Sequence, residues 1–303
     1  MMSSESTARK KLIGLGEVLW DCFPDGNRPG GATSNVAFQA TQLGCEGFVV
    51  SRVGDDEPGR ELTSFLAKQG LNVDAVQVDY EKSTGSVTVE ITGAGQHRFI
   101  IHEDVAWDRL EFTSELRQVM ASADAVCFGS LAQRSPGSRE TIQRCLFETR
   151  DDCLIVFDVN IRQHFFDRIG IERSLQAADI VKLNDDESDL LADLLEIKAA
   201  DEAGRAAEIR TRFGVDLVCV TKGGAGCILS SAEETVCVAG VTIDVVDTVG
   251  AGDAFTAALI TSQLEGWSLQ ASAEFANRVG ALVASSAGAI PDLTEEFRQL
   301  RTR

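Results

Sequence analysis

Residues 247–255, DTVGAGDAF, place a glycine-rich turn, a carboxylate and the start of a helix in that order. Gly250 and Gly252 permit tight turns, and the residues that follow have the apolar content of a buried helix. Because unpaired N–H groups at a helix N-terminus attract negative charge, the backbone of Gly250, Ala251 and Gly252 predicts an anion hole for a phosphate during its transfer. Asp253 lies in the same turn and is placed to accept a proton from an attacking hydroxyl. The alternative is that Asp253 only complements the helix dipole.

The overall charge limits the partners that the chain can have. Its 303 residues carry a formal net charge of −19, whereas nucleic acids and anionic membrane surfaces attract clustered Lys and Arg. We therefore expect neither as a partner. A polyphosphate bound to so acidic a protein needs a site made of backbone N–H groups, metal ions and a few local cations.

The cysteines and the N-terminal segment indicate the compartment. The eight cysteines form no CxxC pair and the three histidines form no HExxH motif, so we expect buried thiols and no structural zinc. The first residues lack the apolar region of a signal peptide, and no apolar run is long enough to span a bilayer. The expected location is cytoplasmic.

Short β-branched runs alternate with amphipathic segments along most of the chain, as in LIGLGEV followed by SNVAFQATQLG. This pattern is typical of repeated βαβ units, and it predicts one α/β domain over residues 1–303 with a mainly parallel, doubly wound sheet and helices on both faces. Ligands of such sheets bind at the carboxyl ends of the strands. The polar residues that follow predicted strands are Glu17, Asp21, Asn160, Arg162, Asn184, Glu187 and Lys222.

One segment departs from this alternation. Residues 84–101, TGSVTVEITGAGQHRFII, read as two alternating strands joined by a glycine-containing turn, which is the pattern of a β-hairpin. The apolar face that carries Val87 and Val89 needs cover, so we expect the hairpin to close over a cleft as a lid and to pair with a second subunit in a homodimer. Further lid strands are expected at about residues 20–30. The alternative is an edge hairpin without a role.

Two glycine motifs stand in the order of a known family. DTVGAGD at residues 247–253 resembles the second signature of the ribokinase (PfkB) family of sugar kinases, and GGATSN at residues 30–35 resembles its first. NDDE and TKGGAG lie between them in the family's order. The resemblance implies a ribokinase-like fold, an ATP-dependent sugar kinase and a catalytic role for Asp253.

Three shorter motifs resemble fructokinases, namely GEVLWD at 16–21, FGSLAQR at 128–134 and DVNIR at 158–162. DVNIR also resembles a motif of 2-keto-3-deoxygluconate kinases, in which the arginine lies near the substrate and the transferred phosphate, so Arg162 joins the catalytic candidates. Its alternative is a surface salt bridge. The leading hypothesis is transfer of the γ-phosphate of ATP to a primary hydroxyl of a ketose, with fructose as the first candidate.

The family resemblance also distributes binding roles over the chain. Sugar hydroxyls exchange hydrogen bonds with carboxylates and amides. The sugar-binding candidates are Asp21, Gly30, Gly31, Asn35, Asn160 and Asp253. The ATP-binding candidates are Asn184, Thr221, Lys222, Gly223, Gly226 and Asn277. The spacing of Asn184 and Glu187 resembles the element that organises Mg²⁺, through water. Asp247 and Gly288 flank the anion hole where family members bind a monovalent cation such as K⁺.

The identity of the sugar stays open at this point. GGATSN departs from the usual fructokinase GGAPAN, and IIHEDVAWDRL is not the Arg-containing stretch that is common after the lid in that subgroup. Cations in the sugar pocket would favour a 2-keto-3-deoxygluconate kinase, and aromatic residues a nucleoside kinase. A catalytically silent sugar-binding protein is the alternative from another class, and the intact Asp253 disfavours it.

Overall fold

The computed structural model describes residues 9–92 and 96–301. The strands in these ranges are β1 (Lys11–Leu15), β2 (Leu19–Phe23), β3 (Gly26–Gly30), β4 (Glu46–Gly54), β5 (Val76–Asp79), β6 (Gly85–Thr92), β7 (Gln96–Ile101), β8 (Ala125–Phe128), β9 (Leu154–Asp158), β10 (Ile180–Asn184), β11 (Leu217–Thr221), β12 (Cys227–Ser230) and β13 (Thr235–Val238). The helices are α1 (Ala32–Gln42), α2 (Glu57–Lys68), α3 (Ser114–Met120), α4 (Pro136–Phe147), α5 (Arg168–Ala177), α6 (Asp185–Leu195), α7 (Glu202–Phe213), α8 (Ala251–Leu264), α9 (Leu269–Ala284) and α10 (Thr294–Arg301).

The main sheet has nine strands in the order β13-β12-β11-β10-β9-β8-β1-β4-β5. The pairs from β11 through to β5 are parallel, and β12 and β13 add two antiparallel pairs at one edge. The predicted α/β fold with a mainly parallel sheet is therefore confirmed. The strand order reverses beside β1, so the carboxyl ends of β1, β9 and β10 open towards the same crevice.

Alternate residues of the central strands enter two separate apolar cores, one on each face of the sheet. Ile13 and Leu15 pack in the core under α3 to α7, whereas Leu12 packs in the core under α1, α2 and α8 to α10. A period of two in side-chain direction produces this division. Burial on both faces explains why the strands read as continuous apolar runs.

A second sheet has four strands in the order β3-β2-β6-β7. Hairpin β6–β7 is antiparallel with Val87 opposite Ile101, and it pairs with β2 in parallel. The strands expected near residues 20–30 are thus β2 and β3 of the same sheet, while the turn at residues 93–95 lies outside the described residues. Val87, Val89 and Ile101 are 5%, 2% and 8% exposed, so the apolar face of the hairpin is already covered by this chain.

Two features of the fold were not expected from the sequence. The segment after β9, which reads only as polar, contains α5, whose N-cap Asp167 accepts a hydrogen bond from the Gly170 N–H. The strands after the TKGGAG turn, β12 and β13, are antiparallel. All eight cysteines are free, with six buried, Cys22 half-buried and Cys237 exposed. Of the helices in the described ranges, none has the length and apolar character required to cross a membrane.

Candidate active site

The residues expected to form an anion hole, Gly250, Ala251 and Gly252, lie at the start of α8. Gly250 is the N-cap in the left-handed region, with φ of 80°, and a side chain there is excluded because its Cβ would lie 2.3 Å from the carbonyl oxygen of Ala289. No side chain among the described residues caps this helix. The Ala251 N–H donates to the Thr248 carbonyl at 3.3 Å, and no side chain in the described part of the chain accepts from the first N–H groups of this fourteen-residue helix. A helix N-terminus without a side-chain cap is a place where a phosphate can bind.

Asp253 meets the other glycine motif directly. The Asn35 Nδ2 donates a hydrogen bond of 2.8 Å to Asp253 Oδ2 across 218 residues of sequence. Asn35 lies in the first turn of α1, whose N-cap Gly31 has φ of 119° and approaches the Glu17 carbonyl so closely that a Cβ would lie 2.4 Å from it. The two glycine-started helices thus bring Asn35 and Asp253 to one point.

The environment of Asp253 gives it the character of a base. Burial, followed by the nearby Asp158 carboxylate, raises the pKa of Asp253 to about 6, against the opposing effects of Asn35, Lys182 and Arg162. A carboxyl group that titrates near this value is still ionised at neutral pH, yet it holds a proton more strongly than an ordinary Asp. Both properties suit a general base.

A cavity of about 500 Å³ opens beside the start of α1. Its lining residues are Glu17, Leu19, Asp21, Gly31, Ala32, Val87, Phe99, Ile101, Leu131, Asn160, Arg162 and Gln163. Four sugar-site or catalytic candidates, Asp21, Gly31, Asn160 and Arg162, therefore share one cavity, whereas Gly30, Asn35 and Asp253 are not among its lining residues. Gly30 pairs with Leu19 in the small sheet. Asn35 lies on α1, whose first residue Ala32 lines the cavity, and its hydrogen bond connects Asp253 to that helix.

The small sheet forms one wall of this cavity. Leu19, Val87 and Ile101 contribute apolar surface, and Asp21 adds a carboxylate from β2. Burial raises the pKa of Asp21 to about 6, although Arg162 and Arg28 oppose the shift. Polar groups that fix orientation beside apolar walls are the usual composition of a small-molecule site.

Glu17 is a cavity residue that the sequence analysis noted only as following a strand. It is 2% exposed, its Oε1 accepts a hydrogen bond of 3.2 Å from the Ala32 N–H, and its Oε2 has no hydrogen-bond partner. A buried acceptor left unsatisfied costs about 1–3 kcal/mol, so a ligand hydroxyl at this position would be favoured. The GEVLWD motif was the available signal, but it could not show that Glu17 faces the cavity.

The loop after β9 presents Asn160 and Arg162 to the cavity. Asn160 has φ of 40°, and its carbonyl accepts a hydrogen bond from Ser130 Oγ. Arg162 is exposed and forms no ion pair with any of the residues in 9–92 and 96–301, which leaves its charge available to a ligand. The next residue, Gln163, donates from Nε2 to the Phe99 carbonyl at 2.7 Å and so connects the loop to β7.

Asn184 and Glu187 form a reciprocal cap at the start of α6. The Glu187 N–H donates to Asn184 Oδ1 at 2.8 Å, and the Asn184 N–H donates to Glu187 Oε2 at 2.9 Å. The second Glu187 oxygen accepts from the Ile161 N–H at 2.8 Å. Both oxygens therefore already hold backbone groups, and the lone pairs that remain suit contact with the water shell of Mg²⁺ rather than direct coordination.

The nucleotide candidates lie at the ends of neighbouring strands. Asn184 is in register with Thr221 on β11, and the turn of residues 223–226 follows. Lys222 Nζ pairs with Glu202 at 2.9 Å, so part of its charge is already neutralised. Asn277 on α9 donates to the Ala239 carbonyl at 3.4 Å. The segment that follows Ala239 carries four exposed valines, Val241, Val245, Val246 and Val249.

Asp247 and Gly288, the candidates for a monovalent-cation site, are in contact with each other. The Gly288 N–H donates to Asp247 Oδ2 at 3.1 Å, and the Val249 N–H donates to Oδ1 at 3.0 Å. These bonds hold the segment that enters the anion hole. Across residues 9–92 and 96–301, no group of three or more His, Cys, Asp and Glu could hold a metal ion.

Comparison with known proteins gives a consistent picture. Residues 10–296 match the family model described as pfkB family carbohydrate kinase. The chain is 33% identical to the sugar kinase PH1459 of Pyrococcus horikoshii over 269 residues, which cover 86% of this chain and 82% of the relative. It is 28% identical to fructokinase-2 of Oryza sativa subsp. japonica over 309 residues, which cover 93% and 90% of the two chains.

Solved structures agree with the fold. The crystal structure of PH1459, an uncharacterized sugar kinase, superposes with a TM-score of 0.83 at 29% identity, covering 96% of this chain and 97% of that one. PH1459 has also been crystallised in complex with ATP. A fructokinase of Xylella fastidiosa with bound ATP has a TM-score of 0.84 at 21% identity and covers 97% of this chain and 100% of its own. At that identity the similarity concerns the fold.

The raised pKa of Asp21 leads to a prediction about stability. A carboxyl group whose pKa is higher in the folded state destabilises the fold as pH rises from its ordinary value of 3.8 to its folded value of about 6, because the folded protein holds the proton more strongly than the unfolded chain does. Above the folded value the loss of stability is complete and no longer changes with pH. We expect Asp21→Asn to raise the melting temperature at a pH of about 7.5, and the gain to shrink towards a pH of about 4.5. Calorimetry across this range measures it.

Asp151→Asn is the control, because Asp151 is exposed and the charge change is the same. A gain for Asp21→Asn that is constant with pH, or equal to that of the control, would contradict the buried placement of this carboxyl group.

Proposed function

This chain belongs to the pfkB family of carbohydrate kinases, and we propose that it is an ATP-dependent ketose kinase whose substrate is fructose. The family makes it a phosphotransferase with an alcohol group as acceptor, and its fold is ribokinase-like. The observation that carries the proposal is the hydrogen bond between Asn35 and Asp253, because it joins the sugar-side helix to the anion-binding turn.

The mechanism follows from the placement of these groups. Hydroxyls of the sugar bind to Glu17, Asp21 and Asn35, which hold the acceptor hydroxyl towards Asp253. Asp253 accepts the proton as this oxygen attacks the γ-phosphorus, the bond from that phosphorus to the β,γ-bridging oxygen breaks, and ADP leaves. Asn35 fixes the direction of the Asp253 carboxylate. The N–H groups of Gly250 to Gly252 stabilise the oxygens of the transferred group, with Arg162 adding positive charge from the loop after β9. Positioning and electrostatics supply most of the rate acceleration in phosphoryl transfer.

The nucleotide and its metal ion bind on the other side of the anion hole in this proposal. ATP lies along the ends of β10 and β11, with its phosphates near Asn184, Thr221 and the turn of residues 222–226, and with the adenine beside Asn277 and the exposed valines of residues 241–249. Asn184 and Glu187 would hold Mg²⁺ through its water shell, and the ion would offset phosphate charge when bound. A monovalent cation such as K⁺ beside Asp247 and Gly288 would support the anion hole.

The charges in the cavity support a neutral sugar. Glu17 and Asp21 place two carboxylates in it against one arginine, Arg162. An acidic substrate such as 2-keto-3-deoxygluconate would meet net repulsion there, and so would a sugar phosphate. Phe99 is the aromatic residue among those that line the cavity, which gives a nucleoside base little to stack on.

A panel of acceptors tests the proposed substrate. We expect ADP release with fructose to exceed that with 2-keto-3-deoxygluconate, fructose 6-phosphate and nucleosides by at least about tenfold in kcat/KM, the effect of roughly 1.4 kcal/mol of differential binding. Enzyme-coupled ADP assays with each acceptor at several concentrations measure it. A clear preference for an anionic acceptor would overturn the assignment to a neutral ketose.

Asp253→Asn tests the catalytic base. We expect kcat to fall by about 10²-fold or more, because general base catalysis contributes this much, while the affinity for sugar changes little. Asp21→Ala is the contrasting variant, since it should raise KM for sugar far more than KM for ATP. Steady-state kinetics with each substrate varied in turn measure kcat and both KM values, and calorimetry measures sugar binding. Together they separate a loss of turnover from a loss of sugar affinity. An Asp253→Asn variant with wild-type turnover would remove Asp253 from the mechanism.

We further propose that the chain works as a single domain of residues 1–303 with the four-stranded sheet as its lid. The inner face of this sheet lines the sugar cavity, and Gln163 ties β7 to the loop that carries Arg162. A homodimer is part of the proposal. Because the inner apolar face is buried in this chain, the second copy would add to an edge strand, β3 or β7, each of which has a single strand neighbour in the four-stranded sheet.

Hydrogen exchange tests both roles of the small sheet. We expect amides of β6 and β7 to exchange more slowly when saturating fructose is added, because closure excludes water. Amides of β3 or β7 should also become protected as protein concentration rises, because a dimer covers an edge. β5 is the control, since it lies at the far edge of the main sheet. Unchanged exchange with a proven substrate would reject the lid, and concentration-independent exchange would reject the edge-paired dimer.

A further inference from the structure

A buried ion pair lies directly below the anion-binding turn. Lys182 on β10 is in register with Asp158 on β9, and its Nζ lies 3.1 Å and 3.3 Å from the two carboxylate oxygens. The two side chains are 9% and 4% exposed. The sequence analysis gave Lys182 no role, because it stands within an apolar strand as a single charged residue.

Thr256 connects this pair to the first turn of α8. Its Oγ1 donates 2.7 Å to Asp158 Oδ2 and lies 3.0 Å from the carbonyl oxygen of Gly252. A Cβ on Gly252 would lie 3.4 Å from Lys182 Nζ, so the ammonium group reaches the underside of the turn. Lys182 therefore sits between the sheet and the backbone that forms the anion hole.

Stability alone gives a weak reason for this arrangement. Desolvation of two charges offsets much of their attraction, and well-packed neutral replacements for a buried pair are often as stable. The position of the pair supplies a stronger reason. The groups whose charges act on or beside Lys182 are the carboxylates of Asp158, Glu187 and Asp253, so this ammonium is the local counterpart of a strongly negative region that must accept a phosphate.

We propose that Lys182, held by Asp158 and Thr256, is a positioning residue that fixes the anion-binding turn and places positive charge beneath the transferred phosphoryl group. The inference rests on the proposed function, because it requires the turn of residues 250–253 to hold the phosphate. The ammonium group acts on the phosphate through the backbone of this turn. Asp158 orients the ammonium group, and Thr256 fixes the distance between α8 and the sheet through its hydrogen bond to Asp158.

The experiment must separate a loss of charge from a loss of fold. Lys182→Met alone would leave the Asp158 carboxylate buried without its partner, which is strongly destabilising. The double variant Asp158→Asn/Lys182→Met removes both charges with little change in shape, and Asn keeps an acceptor for Thr256. Its melting temperature reports whether the fold is kept, and steady-state kinetics report the charge effect.

We expect the double variant to lower kcat at least about tenfold while KM for sugar changes by less than about threefold, because the lost charge acts on the transferred group and not on the bound sugar. The control is Arg52→Met/Asp79→Asn, which removes a pair whose side chains are 11% and 2% exposed, on β4 and β5 at the other end of the sheet. The control should keep kcat within about twofold.

A second variant keeps the inference testable if the double variant does not fold. Thr256→Val preserves shape and both charges but removes the bond between the pair and α8, and it should lower kcat with KM for sugar unchanged. Wild-type kcat in a folded double variant, or in Thr256→Val, would overturn the role of Lys182. An equal loss in the Arg52 and Asp79 control would overturn it as well. Asp253→Asn, measured in the same assay, separates failure of the Lys182 inference from failure of the proposed function. Full activity in Asp253→Asn would overturn the proposed active site itself.

Discussion

The hydrogen bond from Asn35 to Asp253 is the contact on which the site depends. It joins the first turns of α1 and α8, and both helices begin at glycines where a side chain would collide with backbone oxygen. Because these starts are fixed, Gly31 and Ala32 line the cavity while the first turn of α8 lies beside Asn35. Displacing either helix by one residue would break the hydrogen bond between Asn35 and Asp253, and in the proposed mechanism it would separate the acceptor hydroxyl from its base. The nine-stranded sheet provides the rigid support that keeps the two helices in register.

Charge is the second constraint on this enzyme. A chain with a net charge of −19 places Glu17, Asp21 and Asp253 around its cleft, and burial raises the pKa of each of them. A phosphate can approach only where backbone N–H groups and a few cations outweigh these carboxylates. Arg162 lies in the loop after β9, and Lys182 lies on β10, between the sheet and the first turn of α8. Burial is the main cause of the three raised carboxyl pKa values, and the two cations oppose it at Asp253.

Much of the fold and the two glycine turns could be predicted from local sequence. The placement of several site residues could not, because it depends on contacts between distant parts of the chain. The βα alternation and the two glycine motifs depend on short-range patterns, so they predicted the parallel sheet, the hairpin and the turns that begin α1 and α8. The contacts of Lys182 depend on strand register and on the face of the sheet that it occupies, and a single charge within an apolar strand reveals neither. Glu17 lies in the loop between β1 and β2, and its place in the cavity depends on how that loop passes the start of α1. Glu187 shows a further limit, because the NxxE spacing is also that of a reciprocal helix cap, and the structure contains that cap.

Carbon-13 NMR titration of the Asp253 carboxyl group tests the central claim most directly, with its resonance assigned by its loss in Asp253→Asn. The account predicts a pKa of about 6 in the wild type. It also predicts a further rise in Asn35→Leu, because the hydrogen bond from Asn35 stabilises the ionised form and lowers the pKa. A pKa near the ordinary value of 3.8, unchanged by Asn35→Leu, would contradict a base buried between the two helices and held by Asn35.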